Sequence, residues 1–406
     1  MRTRFSLVGS LLLVALLLGG CNGADESVAA DGDGIALGAR SAAEFTKSGF
    51  VFGAVNPTAA PAGEDLVVIN SYLEDGKVYG ATNGESPAAG AALLSPDGTM
   101  RALPSPPPVG TARTLVPAGN SVVLIAADCS NCDRPRLSAH RLADDRSSWE
   151  QVEIPSDIPK ELSGDSEIWY VGRSPAFAVA AADGIYLKVD KSGAISRIEM
   201  PEQGPRTQQA VCVARGDGNL YRIQFELADQ GPAVGDTAVE PSTSSPSTDP
   251  QQGVTSDPDS TFEGLIEYGS PRAWSLDLDD ADSQWDELPT APLKERLLGP
   301  QTVCGLNGPI IVAGGTEISF DGGEWRTAPI ALPDWARSPS ALISTSVTTK
   351  TGAVFTVPVG GERVLERTEG GAWIDNGTPA TALVGAGTSV VAFANNNTAV
   401  FVSPTR

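Results

Sequence analysis

Residues 309–329, PIIVAGGTEISFDGGEWRTAP, carry a pattern that few folds can accommodate. A short apolar run (Ile310, Ile311, Val312) reaches the glycine pair Gly314 and Gly315. A second run, 316–320, enters an Asp-Gly-Gly turn, and a segment from Trp325 to Pro329 closes the unit. Runs of β-forming residues this short, joined by tight turns, bury too little surface to stand alone. The unit must stack against copies of itself, and the chain contains them. A small or apolar run, a glycine-containing turn and a second run rich in Val, Ile or Leu recur at 60–69, 114–126, 176–189, 210–223, 302–314, 341–357 and 382–394. Most are followed by a polar turn and a Pro-terminated closer, at 100–104, 149–155, 195–201, 285–289, 325–329 and 373–379.

Repeats spaced by about 40–50 residues match what a four-stranded blade needs. The expected fold is therefore all-β: a β-propeller of seven blades, with six as the alternative count, each blade four-stranded and antiparallel. The seven hairpins are expected to form the inner pair of each blade. The last hairpin has no closer of its own, so an N-terminal strand at 49–55 (GFVFGAV) is expected to pair into the last blade and close the ring. One interval, from Leu220 to Ile310, is too long for a single repeat. It contains 229–262, dense in Pro, Ser, Thr, Asp and Gly without apolar periodicity, which reads as a disordered insertion within one blade.

Composition agrees with short strands and many turns. Among 406 residues there are 44 Gly and 31 Pro, with 41% hydrophobic and only 19% charged residues. The formal net charge of −22 opposes binding to nucleic acid phosphates and anionic headgroups, so nucleic acid is not an expected partner.

The first 21 residues have the layout of a targeting segment: a charged start (Arg2, Arg4), an apolar run over 5–18, then Leu18-Gly19-Gly20-Cys21. This segment resembles that of a bacterial lipoprotein, because Leu-Gly-Gly-Cys looks like the lipobox. The resemblance implies a signal peptide at 1–20 and a diacylated Cys21 as the mature N-terminus. It also implies a lipid-anchored location on the extracytoplasmic face of the cell membrane. Residues 21–47, small and acidic, read as a flexible tether, and 48–406 as the propeller. Four cysteines then remain in an exported chain, an even number that suggests two disulfides. Cys129 and Cys132 are expected to pair within a loop. Cys212 and Cys304 lie in matching contexts, Gln-Ala-Val-Cys and Gln-Thr-Val-Cys, and are expected to staple two neighbouring blades.

The repeats also resemble the kelch-like propellers, with the galactose-oxidase-type central domain as a relative. Gly314, Gly315, Phe320 and Trp325 stand in kelch order, and 274–289 (WSLDLDDADSQWDELP) has the look of a kelch outer strand. The glycine pair is missing from most other repeats. Residues 319–325 (SFDGGEW) additionally resemble a sialidase Asp-box, one residue short before the tryptophan. Both resemblances concern structural turns, and a fold does not fix a function.

No catalytic, cofactor-binding or metal-binding residue stands out. The Cys129–Cys132 spacing would need a helix N-terminus to act as a redox pair, and the sequence offers a strand and a loop there. The acidic run Asp277, Asp279, Asp280, Asp282 lacks the glycine and the distal glutamate of a calcium loop, and reads as a solvated turn. The chain has a single histidine, His140, whereas the galactose-oxidase copper site takes two. The expected function is a monomeric binding or scaffold module for an exported protein, peptide or glycan. The alternative is a carbohydrate-active hydrolase or lyase with paired carboxylates in the central pocket.

Overall fold

In a computed structural model, the protein is described over residues 36–40, 58–69, 72–74, 77–79, 91–96, 99–107, 113–128, 135–162, 167–202, 207–227, 267–280, 282–291, 297–298, 300–313, 315–336, 345–358, 362–368, 370–386, 389–394 and 398–402. Seven four-stranded antiparallel sheets account for nearly all of them. Six are each built from successive strands of one stretch of chain. Blade 1 takes Thr58–Ala62, Asp65–Ile69, Ala91–Leu94 and Met100–Leu103, and blade 2 takes Arg113–Ala118, Ser121–Asp128, Arg136–Leu142 and Trp149–Gln151. Blade 3 consists of Ile168–Arg173, Phe177–Ala182, Ile185–Asp190 and Ile195–Ile198. In blade 4, Thr207–Val213 and Asn219–Glu226 are joined by Arg272–Asp277 and Asp286–Glu287. Blade 5 is formed by Gln301–Cys304, Pro309–Ala313, Thr316–Asp321 and Glu324–Pro329; blade 6 by Thr345–Thr348, Val354–Val357, Arg363–Arg367 and Trp373–Pro379.

The seventh sheet closes the ring. Ala382–Ala386, Ser389–Ala394 and Thr398–Val402 are joined at the outer edge by Ala36–Arg40 from the other end of the chain. An N-terminal strand does complete the last blade, but it comes from inside the stretch read as a tether. Residues 49–55 lie outside the described residues. The alternation in Ala-Leu-Gly-Ala-Arg is short and weak, and its backbone pairs with the free edge of Thr398–Val402 as any strand could.

The first strands of adjacent blades pack side by side, and blade 7 returns to blade 1. Each blade is thus covered on both faces, which explains why several second strands read as unbroken apolar runs rather than alternating ones. Ser121–Asp128 (SVVLIAAD), Phe177–Ala182 (FAVAAA) and Pro309–Ala313 (PIIVA) are buried almost end to end. The turn at Gly322 and Gly323, with φ of 60° and 87°, is a two-residue hairpin that requires left-handed backbone at both positions, as the Asp-Gly-Gly run suggested.

All six expected closers overlap the outermost strand of a blade, and their four tryptophans tie that blade to the one before it. The indole N–H of Trp149 donates to the Pro104 carbonyl (2.9 Å), that of Trp285 to Glu199 (2.8 Å) and that of Trp325 to Pro289 (2.6 Å). Trp373 donates to the Glu317 carboxylate at 2.7 Å. Trp325 also packs on Phe320 of its own blade, with ring centroids 5.1 Å apart.

One hairpin sits differently from expectation. Residues 176–189 form the second and third strands of blade 3, not the inner pair; the inner strand is Ile168–Arg173. The long 220–310 interval is explained by the chain between the second and third strands of blade 4, which pair directly. Residues 229–262 lie outside the described residues, as do Cys21 and the segment before it, Cys129, Cys132 and Gly314.

Candidate functional site

The inner strands of all seven blades surround a central cavity of about 900 Å³, the size of a small-molecule site. Most of its wall is neutral: Ala59, Ala60, Leu115, Val211, Val303, Val347, Leu383 and Val384, with hydroxyls from Thr58, Thr114, Thr302, Ser346 and Thr348. Blade 3 breaks this pattern, contributing Glu167, Trp169, Tyr170 and Arg173 from one strand. Four large hydrophobic residues are exposed among the described residues. Two of them, Trp169 and Tyr170 (40% each), are adjacent and face this cavity.

Among the described residues the charged groups on the wall are Arg113, Arg173, Arg215 and Glu167. Three arginines against one glutamate make a cationic channel inside a chain of net charge −22. Arg113 begins the inner strand of blade 2. Arg173 ends the inner strand of blade 3, and Arg215 lies in the turn after the inner strand of blade 4. Because inner strands run in the same sense around the ring, Arg173 and Arg215 share one mouth of the channel, where the turns from first to second strand gather. Arg173 reaches far across it: its Nη2 lies 3.9 Å from the position a Cβ on Gly385 of blade 7 would take.

A second hollow, about 330 Å³, adjoins this mouth. It shares Arg173, Arg215 and Pro117 with the channel, and adds Lys191 and Lys350 against Glu64 and Asp190. Lys350 and Glu64 approach to 4.0 Å, an exposed pair of little energetic weight.

Burial dominates the electrostatics here. The Arg113 guanidinium is pulled below its ordinary pKa by desolvation. Arg215 is lowered to about 10 by desolvation, then by the like charge of Arg173, and is still protonated at neutral pH. Arg173 is lowered by desolvation, opposed by Tyr170 and Glu64. Desolvation pushes Tyr170 up, since its exposure is to a space walled by protein, and both arginines pull it back. Arg215 is only 9% exposed, and among the described residues its Nε has no hydrogen-bond partner; neither has Thr302 Oγ1 in the same wall.

Cys212 and Cys304 also line the channel, joined as a disulfide between the inner strands of blades 4 and 5. The expected staple is present, and Thr348 Oγ1 donates to the Cys304 carbonyl from blade 6. His140 is half-buried on the third strand of blade 2 and does not line either cavity. The acidic run is a turn held by its own side chains: Asp277 accepts from the backbone N–H of Asp279 (2.9 Å), and Asp280 from that of Asp282 (3.0 Å). Among the described residues no group of three or more His, Cys, Asp or Glu is placed to hold a metal ion. Glu167 is the one carboxylate on the channel wall among these residues, whereas the alternative reading, a hydrolase or lyase, calls for two.

The site residues Trp169, Tyr170, Arg173 and Arg215 are not legible from sequence. The first three lie in the inner strand that the repeat pattern passes over, and Arg215 in a turn.

The molecule is thus a β-propeller whose central channel is cationic and aromatic on one side. No protein-family model matches the chain, and no curated protein does. Among solved structures it is similar to streptogramin B lyase, with 10% identity over 87% of this chain and 96% of that one, at a TM-score of 0.45. A catalytically inactive virginiamycin B lyase from Staphylococcus aureus with quinupristin gives 9% identity over 90% and 99%, at 0.47. BamB from Moraxella catarrhalis gives 11% over 86% and 85%, at 0.38. These are likenesses of fold.

Proposed function

We propose that the protein is a binding module: a propeller, anchored through lipid on Cys21 at the extracytoplasmic face of a bacterial membrane, that holds a ligand in its central channel. The observation that carries this reading is the makeup of the channel wall. Seven inner strands give it a mostly neutral lining, and one sector offers two exposed aromatic rings beside the half-buried Arg173 and the buried Arg215. Aromatic faces with a few convergent polar groups are the chemistry of retention and orientation. Acid–base cleavage of a glycan needs two carboxylates a few ångströms apart, and Glu167 stands without a second on this wall among the described residues. The anchor rests on the lipobox-like Leu-Gly-Gly-Cys21, and the kelch-like order of residues 314–325 accounts for the blade turns. The partner is an exported protein, peptide or glycan whose exposed part enters the channel, and the propeller acts as a monomer.

The test is retention without turnover. Full-length lipidated protein in detergent micelles is incubated with an envelope extract, and bound species are read by native mass spectrometry. A stoichiometric species recovered chemically unchanged, and lost in Trp169→Ala, is expected; products of cleavage, or no retained species, would overturn the reading. Labelled palmitate should enter the wild-type protein and not Cys21→Ala.

A further inference from the structure

The channel mouth contains a cost with no structural return. A buried charge is expensive unless it is paired or hydrogen-bonded, and two other arginines, the buried Arg222 and the half-buried Arg367, follow that rule. Arg222, 1% exposed, donates to Gln209 Oε1 (3.2 Å) and to the Glu202 carbonyl (3.1 Å), and lies 5.2 Å from the Trp274 ring centroid. Arg367 forms a two-pronged contact with Glu317, at 2.9 and 2.6 Å. Arg215 is different. It is nine-tenths buried, its Nε is unpartnered, and its strongest charged neighbour is another arginine. Both Arg215 and Arg173 open onto the channel and onto the adjoining hollow, where Lys350 and Lys191 add positive charge against the carboxylates of Glu64 and Asp190, leaving four cations to two anions. Glu64, the carboxylate acting on Arg173, is exposed and already drawn to Lys350.

We infer that Arg173 and Arg215 form an oxyanion-binding site at this mouth of the channel, taking a small molecule that carries a carboxylate or phosphate group. The guanidinium fork matches either group, and a bound oxyanion would supply the acceptor that Arg215 Nε lacks. A cationic cleft in an otherwise acidic protein focuses its field on the entering anion. Trp169 and Tyr170, on the same strand as Arg173, face the rest of the ligand in the channel.

This rests on the reading of the channel as a ligand site and names the chemistry it takes. The test uses the full chain in micelles and follows tryptophan fluorescence during titration with sodium phosphate, sodium succinate or maltose, with sodium chloride at matched ionic strength as control. A saturable response to phosphate or succinate is expected. Arg215→Gln and Arg173→Gln should weaken it by about tenfold or more, whereas Arg326→Gln, on the exposed outer strand of blade 5, should leave it unchanged. Response to phosphate alone assigns a phosphate ligand, and to succinate alone a carboxylate. Should Arg215→Gln fail to fold, Arg215→Lys keeps the charge and removes the fork, and should weaken binding severalfold. Equal titrations in all variants, a response matched by chloride, or none to either anion would overturn the inference. A maltose response, or ligand retention from envelope extract, in the absence of an anion response would leave the channel reading standing; loss of all three would remove both.

Discussion

Two buried arginine sites in this propeller, one between blades 5 and 6 and one at the channel mouth, divide structural charge from charge held for a ligand. At the first, Glu317 is 5% exposed and accepts from Arg367 Nε and Nη2 and from the Trp373 indole. Three charge-assisted or indole donors converge on one carboxylate, so the desolvation of both ions is offset by geometry. At the second, Arg215 and Arg173 repel each other and Arg215 Nε is left without an acceptor. The same side chain in the same ring of blades is closed in one place and open in the other. At the first site the charge is satisfied within the fold; at the second, a buried guanidinium opens onto a cavity with an acceptor still lacking among the described residues.

The comparison can be broken at its strongest point first. Replacing Arg367 by Ala strands Glu317 as an unpaired buried charge, and should cost about 3–5 kcal/mol of stability, read as a lower denaturant midpoint. Reducing the Cys212–Cys304 disulfide, or replacing both cysteines by Ser, acts on the wall of the channel itself. The bridge spans 92 residues of chain, and its loss should cost about 2–4 kcal/mol in equilibrium unfolding. The sharpest contrast follows at the open site. Arg215→Met removes a buried charge that nothing pairs, and should stabilise the ligand-free protein by about 1–3 kcal/mol, opposite in sign to Arg367→Ala. If Arg215→Met destabilises as Arg367→Ala does, the two sites are alike and the distinction fails. Smaller still, Trp149→Phe keeps the ring but loses the hydrogen bond to the Pro104 carbonyl, and calorimetry should show a loss of about 1 kcal/mol.

How much of this was legible in sequence depends on what each strand faces. Strands covered on both sides by neighbouring blades are mostly apolar, and those runs, with their glycine turns and Pro-terminated closers, revealed all seven hairpins. The inter-blade pairing of Cys212 with Cys304 was legible for a similar reason, since both occupy the same place in adjacent repeats. The exception is informative. In blade 3 the most apolar pair, 176–189, is the second and third strand, and the inner strand is Ile-Trp-Tyr-Val-Gly-Arg. An inner strand bounded on one side by a channel need not be apolar there, so the strand that carries the candidate site carries the weakest repeat signal. Arg215, in a turn, has no periodicity to betray it; what sets it apart is burial at a cavity wall with Nε lacking an acceptor among the described residues. The closing strand Ala36–Arg40 was obscured by its acidic, glycine-rich surroundings, which outweigh a five-residue alternation.

The claim that the channel arginines are held open for an anion is tested most directly by diffraction from crystals of the protein soaked in tungstate, whose anomalous signal fixes its position. The account predicts a single strong peak within hydrogen-bonding distance of the Arg173 and Arg215 guanidiniums, at the junction of the channel and its adjoining hollow, absent from Arg215→Gln crystals. Tungstate found only on the outer surface, or unchanged in Arg215→Gln, would contradict it.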